Sequence, residues 1–170
     1  MATPHRWFTL LVLLALLGCG YRPMGAEPAS PQGAPSLAIP LFANRSTEIG
    51  LEAILAKALI NAFSQSRAVR LAPSPENADL VLEGKVQSVE NTSVAFDSVT
   101  RSTVRRVTLR VELNLRRGSG KTIWKDTVML QEDYVVDPNY QIGETIKAEG
   151  IRRAAINMAR RVLDKVLLVI

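Results

Sequence analysis

Two amphipathic helices and several extended segments are predicted by the pattern of apolar and polar residues. Apolar residues recur every three or four positions over Ile49–Ser66 and Gly143–Val169, which predicts two helices with one apolar face each. Between them, the segments Ala78–Glu90, Thr103–Arg117 and Lys121–Val136 alternate apolar and polar residues, as half-buried strands do. The chain is therefore expected to form three long strands between two helices.

A shorter strand is predicted ahead of the first helix, at Ser36–Phe42 ("SLAIPLF"). Its internal Pro40 has no N–H to donate, which places this strand near an edge or an end of the sheet. The "GSG" at Gly118–Gly120 predicts a tight hairpin between the last two strands. We therefore expect an α/β (α+β) two-layer sandwich of order β-α-β-β-β-α, in which two helices pack on one face of a four-stranded mixed sheet.

The first 18 residues have the features of a lipoprotein signal peptide. His5 and Arg6 precede the apolar run Trp7–Leu17, which is shorter than the roughly 20 residues that a membrane-spanning helix needs. The "LLGC" ending at Cys19 has the residue order of a bacterial lipobox, so we expect cleavage before Cys19 and acylation, palmitate included, of that residue. More than one acyl chain would make membrane anchoring effectively stable.

The predicted signal peptide, residues 1–18, is followed by a lipidated N-terminus and flexible tether, residues 19–35, that is rich in Pro, Gly, Ala and Ser. A folded domain is predicted over residues 36–170. Hydrophobic residues make up 47% of the chain and aromatic residues only 5%, which suits one domain with an extension.

Export would remove the only histidine, His5, together with Arg6. A chain without histidine and with an acylated cysteine lacks the groups for Ser–His or Cys–His catalysis and for histidine-bound metals. Catalysis by carboxylates alone stays open, but the acidic residues form no DxD or ExxE cluster, so we expect no enzyme and no cofactor. The net charge falls from +5 to +4, which favours a partner with phosphate or carboxylate groups and gives no reason to expect nucleic acid.

Three strings, taken with the order of elements, carry a resemblance to a known family. "GCGYRP" stands at the lipidation site, "IPLFANRSTEIGLEAILAKAL" covers the first strand and helix, and "ADLVLEGKV" covers the next strand. Together they resemble the lipopolysaccharide-assembly lipoproteins of the LptE family over residues 19–170. The resemblance implies a protein anchored in the inner, periplasmic leaflet of the cell outer membrane. It also implies that the protein plugs and helps to assemble the LptD β-barrel and assists lipopolysaccharide transport to the outer leaflet.

The resemblance also implies a lipopolysaccharide-binding region in the connection after the second strand and in the loop before the last helix. Arg101, Arg105 and Arg106 lie in the first of these regions and are the candidate lipopolysaccharide-binding residues. Arginine can bind phosphates and carboxylates through two parallel hydrogen bonds. The second region, "DPNYQIGET", has no basic residue before Lys147. An ordinary solvated hairpin explains the three arginines equally well.

Other classes of function remain open from the sequence. The same anchor suits a pilot lipoprotein for another outer-membrane pore, such as a secretin. A periplasmic lipid carrier is a further alternative, and it would need an internal apolar cavity. The basic residues on the last helix, Arg152, Arg153, Arg160 and Arg161, are most simply explained by its solvated face and by the preference for positive charge near a helix C-terminus.

Overall fold

The computed structural model describes residues 33–97 and 101–170. Three expectations therefore fall outside these ranges and stay predictions: the signal peptide, the acylated Cys19, and the tether as far as residue 32. The first strand begins at Ser36.

A mixed six-stranded sheet forms one layer of the domain. Its three long strands are antiparallel, whereas its three short strands lie parallel to their neighbours. The strands are β1 (Ser36–Ala38), β2 (Ala43–Asn44), β3 (Arg70–Leu71), β4 (Leu80–Phe96), β5 (Ser102–Arg117) and β6 (Thr122–Val135). Their order across the sheet is β3-β1-β4-β5-β6, and β2 pairs with β4 further along the same edge.

The α+β class and the mixed sheet are confirmed, but the expectation of four strands was wrong. The predicted first strand ends at Ala38, and pairing with β4 resumes only at Ala43. Pro40 lies in the gap, where a residue without an N–H cannot continue the ladder. The added strand, β3, consists of two exposed residues that pair with β1, so it has no alternating pattern to mark it.

β4 and β5 extend further than the sequence predicts. Residues 91–96, expected in a connection, continue β4, and β5 begins at Ser102. The register of the β4–β5 pair shifts at residue 87 and again after Ser93, and each shift interrupts the simple alternation. Two of the three candidate arginines, Arg105 and Arg106, therefore lie within a strand and not in a loop.

Two helices form the second layer, α1 (Leu51–Ser64) and α2 (Tyr140–Leu167). They contact each other, and α2 also contacts β5 and β6, so the predicted helix-on-sheet packing is confirmed. The apolar side chains of both layers form one core. Its largest fully buried members are Phe63, Leu37, Leu51, Leu55, Leu59, Leu82, Leu109, Leu113, Leu115, Ile151, Met158 and Val81.

The other face of the sheet is polar, and ion pairs between adjacent strands neutralise much of its charge. The side chains that face the helices alternate along each strand with these solvent-facing residues. The cross-strand pairs are Arg106 with Asp133 at 2.6 Å, Arg116 with Glu83 at 2.8 Å, and Lys125 with Glu112 at 2.8 Å. Such exposed pairs contribute little to stability, but they leave few charges on this face uncompensated.

Candidate functional site

A pocket of about 240 Å³ opens where the start of β5 and the end of β6 meet the start of α2. Its wall combines a cation from the sheet, Arg105, with a cation from the helix, Lys147, and two tyrosines. The full lining consists of Arg105, Tyr134, Val136, Asp137, Tyr140, Gly143, Glu144 and Lys147. We call it the end pocket.

The backbone around the end pocket positions these side chains. Arg105 pairs with Tyr134 in the β5–β6 ladder, so both project toward the helix layer. The Tyr134 hydroxyl donates to Asn91 Oδ1 across 3.5 Å, and its ring lies under α2 at Gly150, where an added Cβ would be 3.4 Å from the ring. Asn139 caps α2 by accepting hydrogen bonds from the next turn's backbone N–H groups.

Lys147 ties α2 to the segment before α1. Its Nζ lies 3.1 Å from a Glu48 oxygen and 3.8 Å from a Glu144 oxygen. Partial burial lowers the pKa of Lys147, but the hydrogen bond with Glu48 and the two carboxylate charges outweigh burial, so the pKa is raised overall. Lys147 therefore stays protonated at every physiological pH, with part of its charge already compensated.

The end pocket is not uniformly basic. Asp137 and Glu144 line it beside Arg105 and Lys147. Asp137 accepts a 2.7 Å hydrogen bond from the Asn139 N–H, which occupies one of its oxygens. Arg105 has no ion pair among residues 33–97 and 101–170, so it is the lining cation most available to a ligand.

The three candidate arginines do not converge. Arg105 faces the helix layer, whereas Arg106 faces the opposite side of the sheet and forms two hydrogen bonds, 2.6 and 2.9 Å long, with the Asp133 carboxylate. Donation from Arg106 lowers the pKa of Asp133. Arg101 lies at the hairpin end, exposed and 2.5 Å from Asp97.

Sequence reasoning did not group Lys147 and Tyr140 with Arg105. A signal was present, because Tyr140, Gly143, Glu144 and Lys147 recur at the three- and four-residue spacing of one helix face. The missing information was the contact of that face with the start of β5. In the part of the chain that the structure describes, no group of three or more His, Cys, Asp or Glu side chains is placed to hold a metal ion.

Comparison with known proteins assigns the family. The profile of the family described as LptE, lipopolysaccharide-assembly, matches residues 34–166. The chain belongs to the LptE family. The match covers nearly the whole described domain of this LptE member and confirms the resemblance carried by its sequence strings. No curated protein sequence matches the chain at a significant level.

Solved structures share the fold of this LptE member at low sequence identity. Rare lipoprotein B from Shewanella oneidensis is 14% identical with a TM-score of 0.53, covering 78% of this chain and 93% of that one. A protein from Xanthomonas campestris is 13% identical with a TM-score of 0.56, covering 84% and 89%. A hypothetical protein from Chlamydia trachomatis is 10% identical with a TM-score of 0.56, covering 78% and 95%. At these identities the likeness concerns the fold alone.

Of the residues placed by the structure, none form a helix that is both long and apolar enough to cross a membrane.

Proposed function

We propose that the chain is an outer-membrane lipoprotein, anchored in the inner leaflet through acylated Cys19, that occupies the LptD barrel and assists lipopolysaccharide transport. Membership of the LptE family supports this proposal. A barrel lumen is polar, so a plug needs a closed core and a hydrophilic exterior. Within the described ranges no polar or charged residue is buried, and the outer face of the sheet carries ion pairs.

The end pocket is the proposed contact with lipopolysaccharide. The observation that carries this is the meeting of Arg105, from the strand after the hairpin, with Lys147, from the last helix. Phosphates and carboxylates of the glycolipid accept charge-assisted hydrogen bonds from such cations. For Arg101, which pairs with Asp97 beside the turn between β4 and β5, we propose an accessory contact, whereas for Arg106 we propose an ion pair that holds β5 to β6.

Binding of purified lipopolysaccharide to charge variants tests the end pocket. We expect Arg105→Ala to weaken binding at least about tenfold, because one charge-assisted contact contributes about 1.5–3 kcal/mol and each 1.4 kcal/mol is a factor of ten. Arg110→Ala is the matched control, because Arg110 is exposed on the same strand but faces the other side of the sheet. Equal binding by the wild type and Arg105→Ala at moderate ionic strength would exclude this pocket.

Neutralising an acidic residue that lines the end pocket should have the opposite effect on lipopolysaccharide binding and gives a second test. Glu144 is half exposed and lies 3.8 Å from Lys147. Glu144→Gln should tighten lipopolysaccharide binding in the absence of divalent cations, because less of the Lys147 charge is then compensated. Weaker binding by this variant would contradict the proposed role of Lys147.

Co-purification tests the barrel partner. The full lipidated chain, expressed with LptD and extracted in detergent, should retain LptD through affinity purification. Recovery of a secretin in place of LptD would support the pilot-lipoprotein alternative and reject the plug.

A further inference from the structure

The strand β6 forms one edge of the sheet, and half of its backbone groups point away from β5. Just beyond β6, the Val136 N–H donates to the Thr103 oxygen across 2.9 Å, so the even-numbered residues of this ladder bond toward β5. The N–H and C=O groups of the odd-numbered residues therefore point outward, because the two directions alternate along an antiparallel ladder. At 14 residues, β6 is longer than most strands and presents a long row of such groups.

The β6 edge lacks the features that commonly protect an edge strand from pairing with another molecule, namely proline, a β-bulge, short length or an uncompensated lysine. β6 contains no proline, and its register with β5 shifts only near its start. Its exposed Lys125 is paired with Glu112. The opposite edge is different, because it consists of the two-residue strands β3 and β2 and of the remaining length of β4, where the register shifts at residue 87 and after Ser93.

A row of polar side chains on α2 covers the β6 edge. These side chains recur every four residues, so they lie on one face of the helix. Each of them donates a hydrogen bond to β6. We call this row the edge stripe, and its members are Arg153, Asn157, Arg161 and Lys165.

Two arginines of the edge stripe bond to outward-pointing carbonyl groups of β6. Arg153 Nη2 donates to the Asp133 backbone oxygen across 3.2 Å, and Arg161 Nη1 donates to the Met129 backbone oxygen across 3.5 Å. Both acceptors are odd-numbered residues, as the direction of the ladder requires. Arg153 is held in place by Glu132, whose carboxylate lies 3.0 Å from its Nε. Each guanidinium group therefore occupies an acceptor, and the space beside it, that an added strand would need.

The neighbouring arginines of α2 have different contacts. Arg152 pairs with Glu149, and Arg160 donates to Asn157, so both bond within α2. In the described part of the chain, neither forms a hydrogen bond or ion pair with β6. A solvated helix face or a preference for positive charge near the helix C-terminus would not separate the four arginines in this way. Contact with the β6 edge therefore distinguishes the two arginines of the edge stripe from Arg152 and Arg160.

We propose that the edge stripe closes the β6 edge against strand addition by a second copy of this chain. The second copy carries the same long edge, and two β6 strands that pair antiparallel about Val128 bring no like charges opposite each other. In that register Lys125 faces Gln131 of the copy, and Asp126 faces Leu130. The charges of β6 alone therefore do not prevent self-pairing. The inference does not depend on the proposed plug function, because it concerns a property of the chain by itself.

Removal of the two arginines from the full acylated chain tests the inference. In detergent, light scattering corrected for bound detergent should give the double variant Arg153→Ala, Arg161→Ala about twice the mass of the wild type, as expected for a symmetric dimer. The dimer fraction should rise with protein concentration. The matched control, Arg152→Ala, Arg160→Ala, removes the same two charges from the same helix and should keep the mass of the wild type.

Crosslinking identifies the surface through which the double variant associates. Cys19 is the only cysteine of the chain and is expected to be acylated, so an introduced cysteine is the only free thiol. In the pairing about Val128, Met129 is a diagonal neighbour of its own copy, roughly 7–8 Å away. Met129→Cys in the double-variant background should therefore form dimers with a short bismaleimide. Thr108→Cys, on the central strand β5, should not.

Each result either supports or overturns the inference. A folded double variant with the mass of the wild type shows that the arginines do not close the edge. Equal association of the control attributes dimerisation to lost charge, and association without the Met129 crosslink attributes it to another surface, so either result rejects the inference. If the double variant fails to fold, Arg161→Ala alone decides, because it leaves Glu132 paired with Arg153. That variant should also dimerise, and an unchanged mass would reject the inference.

Discussion

Gly84, a glycine of β4 that packs against a buried aromatic ring, gives the sharpest test of the core packing. Gly84 lies on the helix-facing side of β4, and the ring of Phe42, only 3% exposed, occupies the space where a side chain would stand. A Cβ added at Gly84 would lie 2.2 Å from Phe42 Cε2 and 2.5 Å from Cζ. Carbon atoms pack best at about 3.5–4.0 Å, so Gly84→Ala forces the buried ring to move by more than about 1 Å.

The expected cost follows from that overlap. Overpacking a core typically destabilises by about 1–3 kcal/mol, and we expect about 2 kcal/mol for Gly84→Ala. The direction of the stability change is informative, because replacing glycine by alanine in a strand otherwise raises the free energy of unfolding by about 0.5–1 kcal/mol. With a urea m-value of about 2 kcal/mol per M, the unfolding midpoint should fall by about 1 M.

A double-mutant cycle with Phe42→Ala isolates the contact. Alone, Phe42→Ala should cost about 3–5 kcal/mol because it leaves a cavity. In the Gly84→Ala background the new methyl group enters the space that the Phe42 ring vacates. The double variant should therefore lose less stability than the sum of the losses in the two single variants. Urea unfolding of the detergent-purified chain, followed by circular dichroism, measures the stability of the wild type, the two single variants and the double variant. Additivity within about 0.5 kcal/mol, or an unchanged midpoint for Gly84→Ala, would refute the reasoning.

Three further predictions concern stability. Met158 is 1% exposed, so Met158→Ala should lower the free energy of unfolding by about 2–5 kcal/mol in urea. Asn139→Ala removes the α2 cap and should cost about 1 kcal/mol, measured as a lower thermal midpoint. Hydrogen bonds from Ser36 N–H and Oγ lower the pKa of Asp79 below its unfolded value near 4, so this contribution is complete above that pH and is lost as pH falls through the lower folded pKa. Urea midpoints between neutral and acid pH should therefore fall less in Ser36→Ala, and an identical pH profile would contradict the assignment.

Local periodicity predicted the parts of the fold that depend on local sequence. β5 was expected from Thr103 and begins at Ser102, because strict alternation of apolar and polar residues fixes both the strand and its buried face. The helices were placed within a few residues for the same reason. β3 was missed because its two residues are exposed and form a strand only by pairing with β1, and such long-range pairing leaves no period in the sequence.

The candidate site was predicted only in part. The sequence named Arg105 but grouped it with its neighbour Arg106 as one basic cluster, although both lie inside the predicted strand Thr103–Arg117. The alternation of that strand sends the two side chains to opposite faces of the sheet. The contribution of Lys147 depends on the docking of α2 against β5 and β6, which sequence spacing does not report.

The uneven compensation of charge connects the fold to its proposed role. A net charge of +5 gives no information on where a partner binds, since the cross-strand pairs on the sheet face cancel locally. At the end pocket the two lining cations differ: Lys147 is already paired with Glu48, whereas Arg105 has no ion pair among residues 33–97 and 101–170. A phosphate bound there would gain a new charge-assisted contact from Arg105 but would have to compete with a carboxylate for Lys147. The proposed glycolipid contact therefore depends more on Arg105 than on Lys147.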